Sequence, residues 1–450
     1  RNVYNQVKNK INIGFLEMGP QKVKNIEEPI VTYKIILDSE TKGLQTTNSE
    51  QNLTLPDKPS VAVLPFDNLS GDPEQEYFSD GMTDDIITDL SKIPELFVIA
   101  RNSSFIFKGQ IVDATEIGRR LGVKYLLEGS VRRVGPKIRI NAQLIDAESG
   151  GHMWADRYDG DIDDIFSLQD EITAKIVNAF EITLAASDRG DEKRVPTSDG
   201  EAYDLFLKAR THFYLFTPDG LKEAKALLES VIRLDPNFAE AYSLLSYCYF
   251  IDWNFHMAEE AVLKRALDVA QKAVELDPNS GYALARLGWV LCFFRRYEEA
   301  IETFERAVVL SPSNAEVFAY YGETLNFADQ AEKGLEMTEQ GIRLDPLGPP
   351  NWDFHRGHSY YKLSNYNEAL AAMTQSINRG PTFPVPYLFL AVIYVEIDQP
   401  NRATEMIDTA LKYNPKFRMD NVARVIPHKS VEQRDRFLDG LRKAGLPENI

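Results

Sequence analysis

The sequence contains few cysteines and no long apolar run. Only two cysteines occur among its 450 residues, Cys248 and Cys292, and both fall inside apolar helical segments. We predict that they are buried, reduced thiols that pack as small hydrophobic side chains, rather than a metal-binding or redox pair. Because no run of about eighteen apolar residues is present, we expect no membrane span in this chain.

Clustered basic residues are also lacking. The formal net charge is −18, and no run of Lys and Arg with interleaved aromatic residues offsets it locally. Acidic protein surface repels phosphate backbones, so nucleic acid is not an expected partner. The stretch from Arg1 to Lys10 has no apolar core of a signal peptide. Since the first residue is arginine rather than methionine, we expect a piece of a longer cytoplasmic protein.

Prolines recur at a nearly constant spacing in the C-terminal half. Four of the five intervals between six prolines are 34 or 35 residues, and the remaining interval is 42. The prolines are Pro236, Pro278, Pro312, Pro346, Pro381 and Pro415. Each one ends a helix, because proline lacks an amide donor and disfavours helix in the residue before it. The period predicts paired helices that stack into a superhelical solenoid.

Small residues mark the places where the helices of a pair approach each other. Small or apolar residues recur 12, 8 and 5 positions before each proline, on one helical face. Another small residue follows most prolines by ten or eleven positions, as at Gly288, Gly322 and Gly357. The "LDP" at 234–236, 276–278 and 344–346 resembles the tetratricopeptide signature. The resemblance implies six tetratricopeptide-type (TPR) hairpins over 199–415, with capping helices over 416–450.

The first helix of each hairpin should face a concave groove. The candidate groove residues, taken eleven or twelve positions after a proline or from the aromatic residues nearby, are Tyr247, Tyr282, Trp289, Glu323, His358 and Val392. Repeats that clamp acidic chaperone tails use Lys and Asn at such positions, and this chain does not. The aromatic residues fit either a hydrophobic peptide or neighbouring domain bound in the groove, or the packed interior of a tight superhelix. His355 and His358 share a helical face, and we predict surface histidines rather than metal ligands.

Residues 59–187 have a different pattern, in which strands and helices alternate. The order predicted is β-α-β-α-β-β-β-α, which indicates a mixed sheet covered by helices. The stretches "SVAVLPFDNLSGDPEQEYFSDGMTDDIITDLS", "VIARNSSF", "LGVKYLLEGSVRR" and "AQLIDAESGGHMWADRYDGDIDDIFSLQDEI" resemble the TolB-like domain that precedes TPR repeats in many bacterial signalling proteins. The resemblance implies an α/β domain without an assigned reaction. Linkers over 39–58 and 188–198 flank it.

Two polar stretches of this domain are candidate ligand sites. Arg101, Asn102, Ser103 and Ser104 follow a strand at its carboxyl end, where open α/β sheets place ligand loops; a structural turn is the alternative. The acidic run from Asp156 to Asp164 does not match a calcium-binding EF-hand loop, because Gly160 would put Ala155 and Arg157 at ligand positions. We therefore predict a helix-capping loop there and no metal site.

Residues 1–38 are too few to form a core of their own. Helix-like Val3–Lys8 and strand-like Ile11–Met18 and Ile30–Ile36 indicate the end of a domain whose body precedes Arg1. The text "VYNQVKNKINIGFLEMGPQKVKNIEEPIVTYKI" is similar to the C-terminal end of bacterial class III adenylate/guanylate cyclase domains. The resemblance implies two divalent ions, Mg or Mn, held upstream of residue 1, and a homodimeric parent. It also assigns Lys24 a contact with the nucleotide phosphates; a plain surface lysine is the alternative.

The sequence therefore predicts a multidomain chain, in which an α/β TolB-like domain is followed by an all-α TPR solenoid. The function expected from it is the regulatory and protein-interaction region of a cyclase, without a complete catalytic site and without a cofactor of its own. Its partner would be a protein or peptide in the groove, such as the parent's own cyclase domain. Two alternatives remain open: a pure scaffold that assembles a protein complex, and a small-molecule sensor centred on Arg101–Ser104.

Overall fold

The structure is a computed structural model that describes residues 14–21, 30–36, 53–180, 196–255 and 259–448. The chain divides into two compact units, Arg1–Gln51 and Asn52–Ile450. The second unit contains both the mixed sheet and the helical repeats, so these two parts of the chain pack together as one body.

The first unit contains an antiparallel strand pair. Strand β1 spans Gly14–Gln21 and strand β2 spans Ile30–Ile36, with Gly14 opposite Ile36 and an irregularity between Glu17 and Pro20. The second strand has the predicted bounds. The first runs to Gln21, three residues beyond its predicted end, and residues 11–13, where it was predicted to begin, lie outside the described residues. The predicted helix over 3–8 and the phosphate-contact candidate Lys24 lie outside the described residues.

The α/β domain is built on one mixed sheet. Its helices follow the predicted order, with one additional short helix directly after the strand at residues 97–98. The strands are β3 (Ser60–Val63), β4 (Asp67–Asn68), β5 (Phe97–Val98), β6 (Tyr125–Val134), β7 (Lys137–Asp146) and β8 (His152–Asp161). The helices are α1 (Glu76–Ser91), α2 (Arg101–Phe105), α3 (Ala114–Leu121) and α4 (Ile165–Ala179). The strand order is β5-β3-β6-β7-β8, and β4 also pairs with β6.

The sheet is parallel on one side and antiparallel on the other. Strand β3 runs parallel to β5 and β6, while β6, β7 and β8 form an antiparallel meander. Gly135 makes the turn between β6 and β7 with φ +59°, a conformation that glycine adopts without steric cost. Ile138, Ile140 and Leu144 are buried on one face of β7, as their alternation predicts.

Helices α1 and α4 cover one face of this sheet, and α3 with part of the solenoid covers a portion of the other. Helix α1 begins at Glu76, so Asp84 and Asp85 lie near its middle. One sequence interpretation needs correction. The acidic run is not a loop throughout, because β8 continues to Asp161 before a short 3-10 turn.

Six helical hairpins follow the α/β domain, with one hairpin for each proline. Their helices are α5 (Gly200–Tyr214) and α6 (Pro218–Leu234), α7 (Ala239–Phe255) and α8 (Glu260–Leu276), α9 (Gly281–Phe293) and α10 (Tyr297–Leu310), α11 (Ala315–Phe327) and α12 (Ala331–Leu344), α13 (Asn351–Lys362) and α14 (Tyr366–Arg379), α15 (Val385–Glu396) and α16 (Pro400–Tyr413). The odd-numbered helices, α5 to α15, are called the inner helices below. The 42-residue interval matches α7 and α8, which have 17 residues each.

The predicted close approaches within hairpins are present. A Cβ atom on Gly288 would lie 2.9 Å from the Phe304 ring, and one on Gly322 would lie 2.3 Å from Thr338 Oγ1. Neither distance leaves room for a side chain, so glycine is what allows the two helices of these hairpins to touch. In the hairpin of α7 and α8, small residues of α8 are fully buried: Ala266, Ala270 and Ala273.

The chain ends with helices α17 (Met419–Val425) and α18 (Val431–Ala444). Helix α18 packs on α15 and α16 through Phe437, Gly440 and Leu441, which are buried. A helix was predicted here as a cap, and the contacts agree with that role. None of the described helices combines the length and the apolar character that a membrane span requires.

Candidate functional site

The candidate groove positions are mostly buried. Five of them expose less than a tenth of their surface: Tyr247, Trp289, Glu323, His358 and Val392. Tyr282 is half-buried. Trp289 illustrates the packing, since the centre of its ring lies 4.7 Å from that of Tyr320 and 4.9 Å from that of Phe293. Of the two alternatives for these residues, the packed interior of a tight superhelix therefore describes the structure.

Arg286 is a charged side chain enclosed by tyrosines. Its guanidinium lies over the rings of Tyr247 at 3.8 Å and Tyr282 at 4.6 Å. Its Nη2 donates to the Tyr282 hydroxyl at 2.6 Å and to Glu316, and Tyr247 shares a 2.6 Å hydrogen bond with Tyr320. Burial opposes the charged form, but Glu316 and the tyrosines raise the pKa of Arg286 well above its usual value. The cluster therefore keeps a charge inside the solenoid, which only a close partner makes tolerable.

Helix α1 of the α/β domain contacts the first inner helix, α5, through two adjacent carboxylates. Arg210 Nη1 lies 2.8 Å from Asp85 Oδ1, and Arg210 Nε lies 3.3 Å from Asp84 Oδ2. Tyr214 donates a hydrogen bond to Asp84 at 3.2 Å, and Tyr203 donates one to Asp85. Burial raises the pKa of Asp85, and Arg210 opposes that rise. The α/β domain is thus held to the solenoid by buried charged contacts as well as by apolar ones.

The residues predicted as a ligand loop, Arg101, Asn102, Ser103 and Ser104, form helix α2. The first three contact the solenoid, and the Ser104 hydroxyl binds the carbonyl of Ala100 within the α/β domain. Asp345 accepts hydrogen bonds from Ser103 N at 3.0 Å, from Ser103 Oγ at 2.6 Å and from Asn102 Nδ2 at 3.1 Å. Burial raises the pKa of Asp345, and these hydrogen bonds oppose the rise. The polar groups of Asn102 and Ser103 that we proposed for an external ligand are therefore occupied by a carboxylate of the chain itself.

Arg101 differs from its three neighbours. Its guanidinium is sandwiched between the rings of Phe105 and Tyr214, each with its centre 3.8 Å away. The nearest carboxylate oxygen, Asp84 Oδ2, is 3.8 Å from Arg101 Nε. Stacking on aromatic faces suits the planar guanidinium, and it adds a second contact between α2 and the first inner helix.

Backbone contacts extend this boundary along the solenoid. Ala100 N donates to Leu344 O at 2.9 Å, and Ser313 Oγ donates to Leu96 O at 2.9 Å. Phe318 of α11 belongs to the same apolar cluster as Leu64 of the sheet. The α/β domain therefore lies along the first inner helix and against the amino-terminal ends of later ones.

The C-terminal segment contacts two inner helices and the start of α10. Lys429 N donates to the carbonyl of Phe327, the last residue of α11, at 3.0 Å, and Phe437 packs against Phe389 of α15 with 4.6 Å between ring centres. Tyr297 of α10 donates to Pro427 O at 2.8 Å. Two parts of the same chain thus cover inner-helix surface that was expected to bind a partner.

Glu323 and His358 form a buried pair, which corrects the prediction of surface histidines. His358 Nδ1 lies 2.8 Å from Glu323 Oε1, and Asn326 Nδ2 donates to the other carboxylate oxygen at 3.0 Å. Burial raises the pKa of Glu323 to about 7 and lowers that of His355 to about 4. It also lowers the pKa of His358 well below its usual value. His428 of the C-terminal segment covers His358, with 6.1 Å between ring centres, whereas His355 packs among the rings of Trp289, Tyr320 and Trp352. The period of the repeats reveals neither contact.

Cysteine and metal chemistry have no centre among the described residues. Cys248 and Cys292 are free, buried thiols, as predicted for small hydrophobic side chains. No group of three or more His, Cys, Asp or Glu side chains in the described part of the chain is arranged to hold a metal ion. These residues therefore do not form the two-ion site that the cyclase resemblance implies, and we derive no reaction step from it.

Asp345 is the residue that sequence reasoning missed, although it lies inside a recognised motif. Among the described residues, the equivalent Asp235 and Asp277 each accept a side-chain hydrogen bond from the amide two residues ahead, at 2.9 and 3.2 Å, within Asp-Pro-Asn turns. At Asp345 the third turn residue is Leu347, whose amide donates to Ser103 Oγ at 2.9 Å. The departure from Asp-Pro-Asn to Asp-Pro-Leu was the available signal.

Comparisons with known proteins support the repeats and connect the chain to one curated relative. A sequence profile of the tetratricopeptide repeat family matches residues 269–302. A Rhizobium meliloti (strain 1021) protein named "Putative adenylate cyclase 3" is 43% identical over 302 residues, which is 66% of this chain and 51% of that protein. The chain thus spans about half the length of this relative.

Solved structures with similar helical repeats have low sequence identity to this chain. The Cut9–Hcn1 hetero-tetramer of the APC/C matches 62% of this chain and 52% of its own chain, with 16% identity and a TM-score of 0.42. Pseudomonas aeruginosa PilF matches 49% and 96%, with 19% identity and a TM-score of 0.36. YrrB, described as a TPR protein with an unusual peptide-binding site, matches 42% and 93%, with 22% identity and a TM-score of 0.29. TM-scores this low say nothing about a shared ligand.

Proposed function

We propose that this chain is the regulatory and protein-interaction region of a class III adenylate or guanylate cyclase that acts in cyclic-nucleotide signalling. The observation that carries the proposal is the buried contact between the α/β domain and the inner helices, centred on Asp345 and on the Asp84, Asp85 and Arg210 group. The 43% identical relative named as an adenylate cyclase supports the assignment. TPR repeats are a class of fold that binds proteins or peptides, which supports an interaction role.

In this proposal the catalytic domain precedes the chain in a longer, homodimeric, cytoplasmic parent. Strands β1 and β2 would be the end of that domain, Lys24 would contact the nucleotide phosphates, and two Mg or Mn ions would be held by upstream residues. The resemblance of residues 1–38 to cyclases supports this arrangement. A TolB-like identity for the α/β domain rests on the resemblance of its sequence.

The regulatory step that we propose is a change in how the α/β domain is held. Two cyclase domains must pair to make a site between them, so whatever moves the segments following them changes their placement. In the proposal, a partner or ligand that loosens the α/β domain from the solenoid alters this placement and thereby the rate. The contact at Asp345 is where the structure offers a specific way to test it.

The test uses the full-length parent with Asp345→Ala, and with Asp277→Ala as the matched control. Asp277 occupies the same place in an earlier "LDP" motif, but the hydrogen bond that its carboxylate accepts comes from its own turn rather than from α2. We expect Asp345→Ala to change the rate of cyclic AMP or cyclic GMP formation at least threefold, with the control unchanged. Equal rates for both variants and the parent, over all nucleotide and metal conditions, would refute the regulatory role.

A scaffold that assembles a protein complex is the second candidate, favoured by the six TPR-type hairpins themselves. The two candidates differ in what the same variants do. For a pure scaffold, Asp345→Ala leaves turnover unchanged. Deleting residues 199–450 would then abolish complex assembly while cyclisation by the remaining parent continues at its original rate.

A further inference from the structure

A polar cleft of about 710 Å³ lies on the α/β domain, on the part of the sheet that the solenoid and α3 leave uncovered. Its floor is formed by β6, β7 and β8. Its walls are the segment 64–69, which follows β3, and the segment 107–112, which follows β5 and α2. Parallel α/β sheets bind ligands beyond the carboxyl ends of their strands, and the volume is in the usual range for ligand sites.

One row of side chains crosses the floor of the cleft. Asp67 of β4 pairs with Ser130 of β6, Ser130 pairs with Asn141 of β7, and Asn141 pairs with Arg157 of β8. Paired residues on adjacent strands project to the same face of a sheet, and all four line the cleft. The row therefore has a carboxylate at one end, a guanidinium at the other, and a hydroxyl and an amide between them.

The charges at the two ends are available for a ligand. Asp67 makes no ion pair with any side chain in the described ranges, and Glu128, in the adjacent row, accepts one hydrogen bond from Gln143 at 3.0 Å. In the part of the chain that the structure describes, Arg157 forms one ion pair, with Asp159 at 3.2 Å from its Nε, which leaves the outer nitrogens of its fork as donors.

The remaining charged groups of the cleft are engaged. Lys108 Nζ lies 2.6 Å from Asp80 and 2.7 Å from Glu76, and Asp156 lies 3.0 Å from Lys175. The acidic end of the row therefore has no neighbouring cation to neutralise it, and the basic end keeps its charge.

We propose that this cleft binds a short zwitterionic peptide in an extended conformation. Its ammonium group lies between Asp67 and Glu128, its carboxylate accepts the two outer nitrogens of Arg157, and its peptide groups hydrogen-bond to Ser130 and Asn141. A bidentate contact is the geometry in which Arg and a carboxylate match.

The size of the peptide follows from the sheet. Four strands are separated by three gaps of about 4.8 Å each, so the ends of the row are roughly 14 Å apart. An extended peptide spans at most about 3.5 Å per residue. The two side chains and their hydrogen bonds to the ligand take up part of this span, so about three residues fit. The proposal concerns residues 60–161 alone, so it stands whether or not the chain regulates a cyclase.

Calorimetric titration of the 450-residue chain with tri-L-alanine tests the proposal, alongside the N-acetylated and the C-amidated tripeptide. We expect each modification to weaken binding at least tenfold. Asp67→Asn should weaken the binding of tri-alanine at least tenfold but leave the binding of the acetylated peptide unchanged. Arg157→Gln should also weaken the binding of tri-alanine at least tenfold, and it should leave the binding of the amidated peptide unchanged.

Lys137→Gln is the matched control. Lys137 lies on the same sheet face two rows away, paired with Asp161, and outside the cleft, so its replacement should not alter binding. Thermal unfolding of each variant checks that the sheet is intact. The proposal is overturned by a lack of binding of di-, tri- and tetra-alanine at millimolar concentration, by binding that neither variant weakens, or by ethanolamine binding as tightly as tri-alanine.

Discussion

Replacing Asp345 with alanine should detach the α/β domain from the solenoid locally while leaving the repeats folded. The carboxylate accepts three hydrogen bonds from α2 and a fourth from Trp352 Nε1 at 3.0 Å. Without the carboxylate, the buried Ser103 amide loses its hydrogen-bond acceptor, and each unpaired buried donor costs about 1–3 kcal/mol. Part of this loss is offset because the carboxylate is itself buried unfavourably, which its raised pKa reports.

We therefore expect Asp345→Ala to lower the free energy of opening at this contact by about 3 kcal/mol. The control Asp277→Ala removes one hydrogen bond at a half-buried turn and should cost about 0.5–1 kcal/mol. The readout is native-state hydrogen exchange of a peptide that contains Ser103, whose protection should fall roughly 100-fold in Asp345→Ala.

Equal protection of that peptide in the two variants would show that the Asp345 contact does not hold the domains together. If Asp345→Ala does not fold, Asp345→Asn is the replacement variant, because it keeps the shape of the side chain and one carbonyl acceptor. In this variant the protection of the Ser103 peptide against exchange should lie between that in the parent and that of a fully exposed peptide.

Three further predictions concern the C-terminal half. A side chain at Gly440 would meet a valine of α15 at 2.8 Å, so Gly440→Leu should release α18 and speed tryptic cleavage of the terminal helix about tenfold, whereas the outward-facing Asp439→Leu should not. Between pH 4.5 and 6.5 the folded chain holds an extra proton on Glu323, which favours folding at acid pH. In Glu323→Gln this contribution is lost. Over that range the free energy of unfolding, measured by urea titration, should therefore fall on acidification by about 1.4 kcal/mol per pH unit more than in the parent. Burial raises the pKa of both cysteine thiols, so neither should react with a thiol reagent at pH 8 until the chain unfolds.

The helical half could be predicted because its signals are local. Each proline ends a helix wherever that helix lies, and Gly288 and Gly322 permit close approach to the nearest helix in sequence. The strands of the meander were predictable for the same reason, since alternation along β7 reports burial of one face.

The candidate site could not be predicted to the same extent, because its residues meet over long sequence distances. Ser103 and Asp345 are 242 positions apart, and Lys429 is about a hundred positions from the Phe327 carbonyl that it binds. A single sequence shows that Ser103 follows a strand and that Asp345 ends a helix, but not that one satisfies the other. His358 was taken for a surface residue for the same reason.

The inner helices are therefore not an open groove awaiting a partner. Helix α11 packs against the sheet through Phe318 near its amino-terminal end, and its last residue, Phe327, holds the C-terminal segment. A peptide that bound the inner surface would have to displace one of these two occupants. Its apparent affinity is its intrinsic affinity multiplied by the fraction of molecules in which the surface is free, so an occupant released in about one molecule in a hundred weakens binding about 100-fold. By linkage, a ligand of the α/β domain that loosens its contact with α11 raises the affinity of the solenoid for a partner by the same factor as the partner raises the affinity for that ligand.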